Sequence, residues 1–168
     1  FYIAIEPAYN KLFQNNGDLT FSDVTKTSGT EVLGIGSGVG NADLDDDGFL
    51  DLFLTNRTFY NSDKQITESD RNYLLRNKGN GNNWIKIELT GTKSNTNAYG
   101  ARVKVMAGDS IQYREHTSAH GYNSANDYRL HFGLADEEHI DLIEIIWPSG
   151  ERDLLTDIAV NQTLSIEE

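Results

Sequence analysis

From Trp84 to the end of the chain, apolar and polar residues alternate almost one for one in short runs separated by Gly, Asn, Asp and Pro. Successive side chains of a strand point to opposite faces, so this period-2 pattern builds half-buried strands rather than an amphipathic helix. The segments are WIKIEL (84–89), ARVKVMA (101–107), SIQYREH (110–116), DLIEIIW (141–147) and TLSIE (163–167). Within WPSGERDLL, Pro148 and Gly150 fall at the second and fourth positions of a type I turn, which predicts a hairpin. Only ADEEH (135–139) and LLTDIAV (154–160) are expected to form a helical turn. The predicted fold class is all-β.

The N-terminal half carries an internal echo. NKLFQNNGD (10–18) and NYLLRNKGN (72–80) share the pattern Asn-x-Leu-[Phe/Leu]-x-Asn-x-Gly-[Asp/Asn], 62 residues apart. Such a period, filled with short strands, is what a propeller blade or β-array leaves in a sequence; Asn-Gly turns after Leu-rich strands give the same pattern by chance. The echo breaks after Gly81, where NNWIKIEL begins. A domain boundary is therefore expected near residues 80–83, dividing the chain into 1–80 and 81–168.

Between the two copies lies NADLDDDGFLDLFL (41–54), with carboxylates at Asp43, Asp45, Asp46, Asp47 and Asp51. Like charges about 6 Å apart repel by roughly 3 kcal/mol per pair at an effective dielectric near 20. A fixed loop with converging aspartates therefore stays splayed in water or holds a cation. Calcium takes six to eight oxygens, which a curling loop supplies from alternate residues. Asp43, Asp45 and Asp47 are the alternates, Gly48 permits the sharp turn, the Phe49 carbonyl offers a backbone oxygen, and Asp51 closes the shell. Asp46 faces outward on this pattern and is expected to be dispensable. A helical EF-hand would need a glutamate where Leu54 stands, and FLDLFLTN continues as a strand. The expectation is Ca²⁺ at the tip of a β-hairpin.

At 168 residues the chain has material for one ordinary domain or two small ones. A net charge of −12 argues against nucleic acid and anionic membrane surfaces as partners. With no cysteine, disulfides, thiolate metal sites and cysteine nucleophiles are excluded. No apolar run reaches the length of a membrane span, so no membrane insertion is expected. The opening residues lack the basic start of a signal peptide, and the numbering is expected to begin after processing or inside a longer chain.

These residues resemble two known modules in tandem. GVGNADLDDDGFLDLFLTN followed by YLLRNKGNG resembles an FG-GAP/VCBS repeat, the calcium-bearing blade unit of integrin-type β-propellers. NWIKIELTGTKSNTNAYGARVKVMAG, REHTSAHGYNSANDYRLHFGLAD and IEIIWPSGERDLL resemble the ASPIC/UnbV domain that follows such repeats in secreted proteins. The resemblance implies calcium ligation by Asp43, Asp45, Asp47, the Phe49 carbonyl and Asp51, and implies no catalytic residue. It implies a blade-like calcium hairpin sheet packed beside or onto an antiparallel β-sandwich-like domain. A propeller needs four to eight blades, so one chain of this size does not close one.

Other chemistry is weaker in the sequence. His116 and His120 stand four apart in HTSAH, but on a strand running into a loop rather than on a helix face; with His131 they are expected to be structural. Ser118, Ser124 and Ser149 sit in no Gly-x-Ser-x-Gly elbow, and GIGSGVG (34–40) lacks the Lys-Ser/Thr of a phosphate loop. The chain is expected not to be an enzyme. Tyr113, Tyr122 and Tyr128, with Asn123, Asn126, Asp127 and Arg129, offer flat aromatic faces beside amides and charges, the inventory of sugar recognition. Trp147 and half-buried tyrosines could equally serve the core, and Tyr and Asn serve protein recognition too. The functional expectation is a non-catalytic, calcium-stabilised extracellular or cell-surface binding module for a glycan, or alternatively for a protein ligand. A free sheet edge would also permit self-association.

Overall fold

The computed structural model describes residues 1–5, 8–34, 36–57 and 71–168. It is all-β and sandwich-like, with one short helix among the described residues. The chain divides into two compact units. The first comprises Phe1–Ala42, Leu50–Asn77 and Ala119–Asn126; the second comprises Asp43–Phe49, Lys78–Ser118 and Asp127–Glu168.

The first unit is built of short ladders. β1 (Tyr2–Ile3), β3 (Lys11–Asn15) and β4 (Phe21–Asp23) form one sheet, β2 (Ala8–Tyr9) pairs with β5 (Leu33–Gly34), and β6 (Gly36–Ala42), β7 (Asp51–Asn56) and β8 (Tyr73–Leu75) form another. A single turn of helix, α1 (Thr25–Ser28), closes on Gly29, whose φ of 72° suits a left-handed cap. The internal echo has a structural counterpart. Asn10 and Asn72, its first residues, each accept a backbone N–H through Oδ1, from Ile5 and Asn56 respectively, just before β3 and β8 begin. The stretch GIGSGVG reads as strand from Gly36 onward; Ile35 lies outside the described residues.

The second unit holds the main core. β11 (Ser110–Glu115), β10 (Arg102–Ala107), β13 (His139–Ile146) and β14 (Arg152–Ala159) form a four-stranded antiparallel sheet in that order. β12 (Leu130–Ala135), β9 (Asn83–Thr90) and β15 (Gln162–Glu167) form a second sheet. Alternate residues fill the core between them: Ile85, Ile87 and Leu89 from β9, Val103 and Val105 from β10, Leu130, Phe132 and Leu134 from β12, and Ile143 and Ile145 from β13. Trp147 belongs to this core, its indole N–H donating to Asp153 at 2.7 Å.

Three details differ from the sequence reading. LLTDIAV is not helical: all of it but Val160 lies in β14, where pairing along β13 and partial burial of Leu155 and Ile158 override local propensity. ADEEH is a tight turn from β12 into β13, with the Glu137 N–H donated to the Leu134 carbonyl and Ala135 at φ 52°. The sandwich is not wholly antiparallel, because β15 runs parallel to β9, from Gln162 opposite Ile85 to Glu167 opposite Thr90. The Pro148–Gly150 turn does join two antiparallel strands, β13 and β14.

Candidate functional site

The core-facing side chains of β9 and β12 leave Trp84, Lys86 and His131 on the other face of that sheet, and Lys86 lies directly opposite His131 in register. That face is covered by the acidic loop. Lys86 is 1% exposed because its ammonium reaches the Asp43 carboxylate at 2.7 Å and the Asp46 carboxylate at 2.8 Å. An imidazole nitrogen of His131 lies 2.8 Å from the Gly48 carbonyl. The Trp84 indole packs against Gly48 so closely that a Cβ there would sit 1.8 Å from Nε1, and Gly48 has φ 92°. Only glycine satisfies both the left-handed backbone and the contact.

The loop is held from inside as well. Asp43 accepts the Asp47 and Gly48 backbone N–H groups at 3.1 and 2.9 Å, and Asp47 accepts the Phe49 N–H at 3.0 Å. Arg129 grips Asp127 through Nε and Nη2, at 2.9 and 2.7 Å to Oδ2, and extends Nη1 to Asp46 at 3.0 Å. The hydrogen bond from Lys86, then that from Arg129, holds the Asp46 carboxyl below the usual carboxylate range. Burial alone would lower the Lys86 pKa, but its bonds to Asp43 and Asp46 outweigh burial and raise it. Hydrogen bonding to Asp127 raises that of Arg129. Burial lowers the His131 pKa, only partly offset by the Gly48 carbonyl. Asp46 is thus exposed, as its place in the pattern predicts, yet it is not idle: it ties Lys86 and Arg129 together.

The arrangement fits a hard cation. Ligand oxygens of Asp43, Asp45 and Asp47 all lie within 4.8 Å of one another, a spacing at which like charges repel by roughly 3 kcal/mol per pair at an effective dielectric near 20. Oxygen-only donors from alternate residues of a glycine-turned loop suit calcium. Asp43 has one oxygen fixed by Gly48 and Lys86, which orients the carboxylate. Phe49 follows with its ring against Gly79. Asp51 is not in the converging group: it opens β7 in the first unit, is buried there, and accepts the Asn77 N–H at 2.8 Å.

The residues expected to recognise a ligand are distributed over both units. Tyr122, Asn123 and Asn126 belong to the first, where Asn126 accepts the Asn41 backbone N–H and Asn123 has φ 49°. Tyr113, Asp127, Tyr128 and Arg129 belong to the second. Tyr122, Tyr113 and Tyr128 are 78%, 67% and 57% exposed, so these three are not core residues. Asp127 and Arg129 are committed to each other and Arg129 also to the acidic loop. His116 is buried, its ring 5.1 Å from that of Tyr99, and His131 is the strand histidine already described.

Sequence reasoning missed Trp84, Lys86 and His131 as partners of the acidic loop. The signal was present in parity: Trp84 and Lys86 fall on the same face of WIKIEL, opposite the apolar Ile85 and Ile87. A lysine facing outward on an alternating strand reads as solvated until something covers it.

No helix among the described residues is long and apolar enough to cross a membrane. Comparison with known proteins gives one family and a set of curated relatives. The chain is 27% identical to human cartilage acidic protein 1 over 154 residues, covering 84% of this chain and 21% of that protein. It is also 27% identical to the mouse protein over 154 residues, and 27% identical to the Xenopus tropicalis protein over 157 residues with 22% of that protein covered. The chain thus spans about a fifth of the length of the curated relatives it matches. Residues 91–168, which include all of β10 to β15, match the family described as ASPIC and UnbV.

Proposed function

We propose that this chain is a non-catalytic, calcium-stabilised extracellular recognition module whose ligand is a carbohydrate. One observation carries the reading: the carboxylates of Asp43, Asp45 and Asp47 converge on a loop seated against Lys86 and His131. A cation bound there joins the loop to β9 and β12, so binding energy becomes folding energy. Asp43, Asp45 and Asp47 would supply carboxylate oxygens and Phe49 a carbonyl. Calcium in this role organises structure rather than chemistry.

Recognition rests on the exposed tyrosines. Tyr113, Tyr122 and Tyr128 keep aromatic faces in solvent, where a sugar ring can stack. An extracellular location is consistent with relatives whose name associates them with cartilage. A glycan and polysaccharide array probed with the intact chain, in calcium and again with chelator, tests the reading. Binding in calcium that is lost with chelator is the expected result. A blank array in both conditions overturns carbohydrate as the ligand class and leaves a protein ligand as the alternative.

A further inference from the structure

We infer that the second unit carries a dedicated pocket for a single neutral pyranose ring, at the end of β9 and lined by no residue of the acidic loop. The inference rests on the recognition reading above and gives it a place. The pocket is a cleft of about 190 Å³ lined by Glu88 and Thr90 of β9, Asn97 and Tyr99 of the following loop, His116 beyond β11, and Tyr128 before β12. Of these, only Tyr128 belongs to the tyrosine and asparagine set that the sequence singled out.

Size and chemistry select the ligand. Sites that enclose drug-sized molecules run to ~300–1,000 Å³, so this smaller cleft suits one sugar ring, with the rest of a chain left in solvent. Two tyrosines, Tyr99 and Tyr128, line the cleft, and aromatic rings are the side chains that stack on the C–H face of a pyranose. Glu88 supplies acceptor oxygens, while Thr90 and Asn97 both donate and accept, which matches a ring whose hydroxyls do both. The Glu88 carboxylate, in a chain of net charge −12, disfavours uronates and sulfated sugars. A neutral hexose or N-acetylhexosamine is what remains.

The pocket is also preformed. In the loop after β9, the Gly91 N–H donates to the Thr96 carbonyl at 3.1 Å and the Ala98 N–H to that of Asn95 at 2.7 Å. The Asn95 side chain clamps Tyr99 from both sides, accepting its N–H and donating to its carbonyl, each at 2.9 Å. Gly100 donates to the His116 carbonyl and His116 to that of Ala101, both at 2.8 Å, and the Tyr99 and His116 rings lie 5.1 Å apart. A wall fixed in this way loses little entropy when it binds, which matters most for a weak, single-ring ligand.

The test is a titration of the full chain, in calcium, with the methyl glycosides of glucose, galactose, mannose and N-acetylglucosamine, followed by backbone amide NMR. At least one glycoside is expected to shift amides at residues 88–90, 96–99 and 128. Tyr128→Ala is expected to weaken that binding by about tenfold or more, and Asn97→Ala to weaken it as well, with distant amides unmoved. Leu154→Ala, at an exposed position of β14 that the recognition reading does not use, is expected to leave it intact. Shifts confined to other residues, or shifts at the cleft that survive Tyr128→Ala, overturn the pocket while the recognition reading stands. No shift with any glycoside overturns the pocket, and a blank array beside it overturns carbohydrate as the ligand class as well.

Discussion

Lys86 Nζ and Asp43 Oδ2 lie 2.7 Å apart with both side chains almost wholly withdrawn from solvent. A buried lysine is tolerated only when paired, and here the partner is the first carboxylate of the acidic loop. The pair joins the loop to the centre of β9.

Removing the cation alone leaves Asp43 buried and uncompensated. Lys86→Met is therefore expected to cost about 3–5 kcal/mol of stability in the presence of chelator. The double variant Lys86→Met with Asp43→Asn, which removes both charges, is expected to recover part of that loss. Urea denaturation of the two variants beside the wild type checks both statements.

Calcium and the loop's ion pairs separate by mutation. Asp45→Ala removes a proposed calcium ligand, so the rise in Tm on adding calcium should shrink. In the wild type, the proposed site is expected to add about 3 kcal/mol at a hundredfold excess of calcium over its Kd. Asp46→Ala instead cuts the contacts to Lys86 and Arg129. It is expected to lower Tm in calcium and in chelator alike. Thermal melts in both conditions decide, and a calcium response lost equally in both variants contradicts the ligand assignment.

Gly48 and Gly81 both hold positive φ, 92° and 82°, but only Gly48 faces an obstacle. Gly48→Ala drives a methyl into the Trp84 indole and is expected to destabilise by about 3 kcal/mol. Gly81→Ala has open space and bears only the left-handed strain, about 1 kcal/mol. Trp84 fluorescence should shift in the first variant and not in the second.

His131 sets a pH dependence. Burial favours its neutral form, so its folded pKa lies below the ordinary 6.5. The unfolded chain takes up the proton first on acidification. The contribution is therefore fully present above pH 6.5 and is lost as pH falls towards the folded pKa, with a slope of at most ~1.4 kcal/mol per pH unit for one proton. His131→Gln should flatten stability against pH in that window, measured by denaturation at a series of pH values above the carboxylate range.

Much of the fold was legible in local pattern. Ile85, Ile87 and Leu89, or Val103 and Val105, announce which face of a strand is buried, because a strand's geometry makes alternation and burial the same fact. The turn at Pro148–Gly150 was legible for a similar reason, its residues matching a fixed set of dihedrals. LLTDIAV was not legible, since short apolar runs fit helix and strand alike and only pairing with β13 decides. The parallel union of β15 with β9 was equally hidden, since it joins segments far apart in the chain.

The acidic loop divides along the same line. Spacing alone anticipated that Asp43, Asp45 and Asp47 converge, because alternate residues of a tight turn come together and that is local geometry, whereas Asp51, offered by the same spacing, lies outside the group. What the loop rests on is not local. Lys86 stands 43 positions beyond Asp43, and Arg129 and His131 lie 83 beyond Asp46 and Gly48. A polar residue on the outer face of a strand carries no mark of whether water or another segment will cover it. Burial of that face is decided when distant segments meet, so only the tertiary structure could turn Lys86 from a solvated lysine into the buried partner of Asp43.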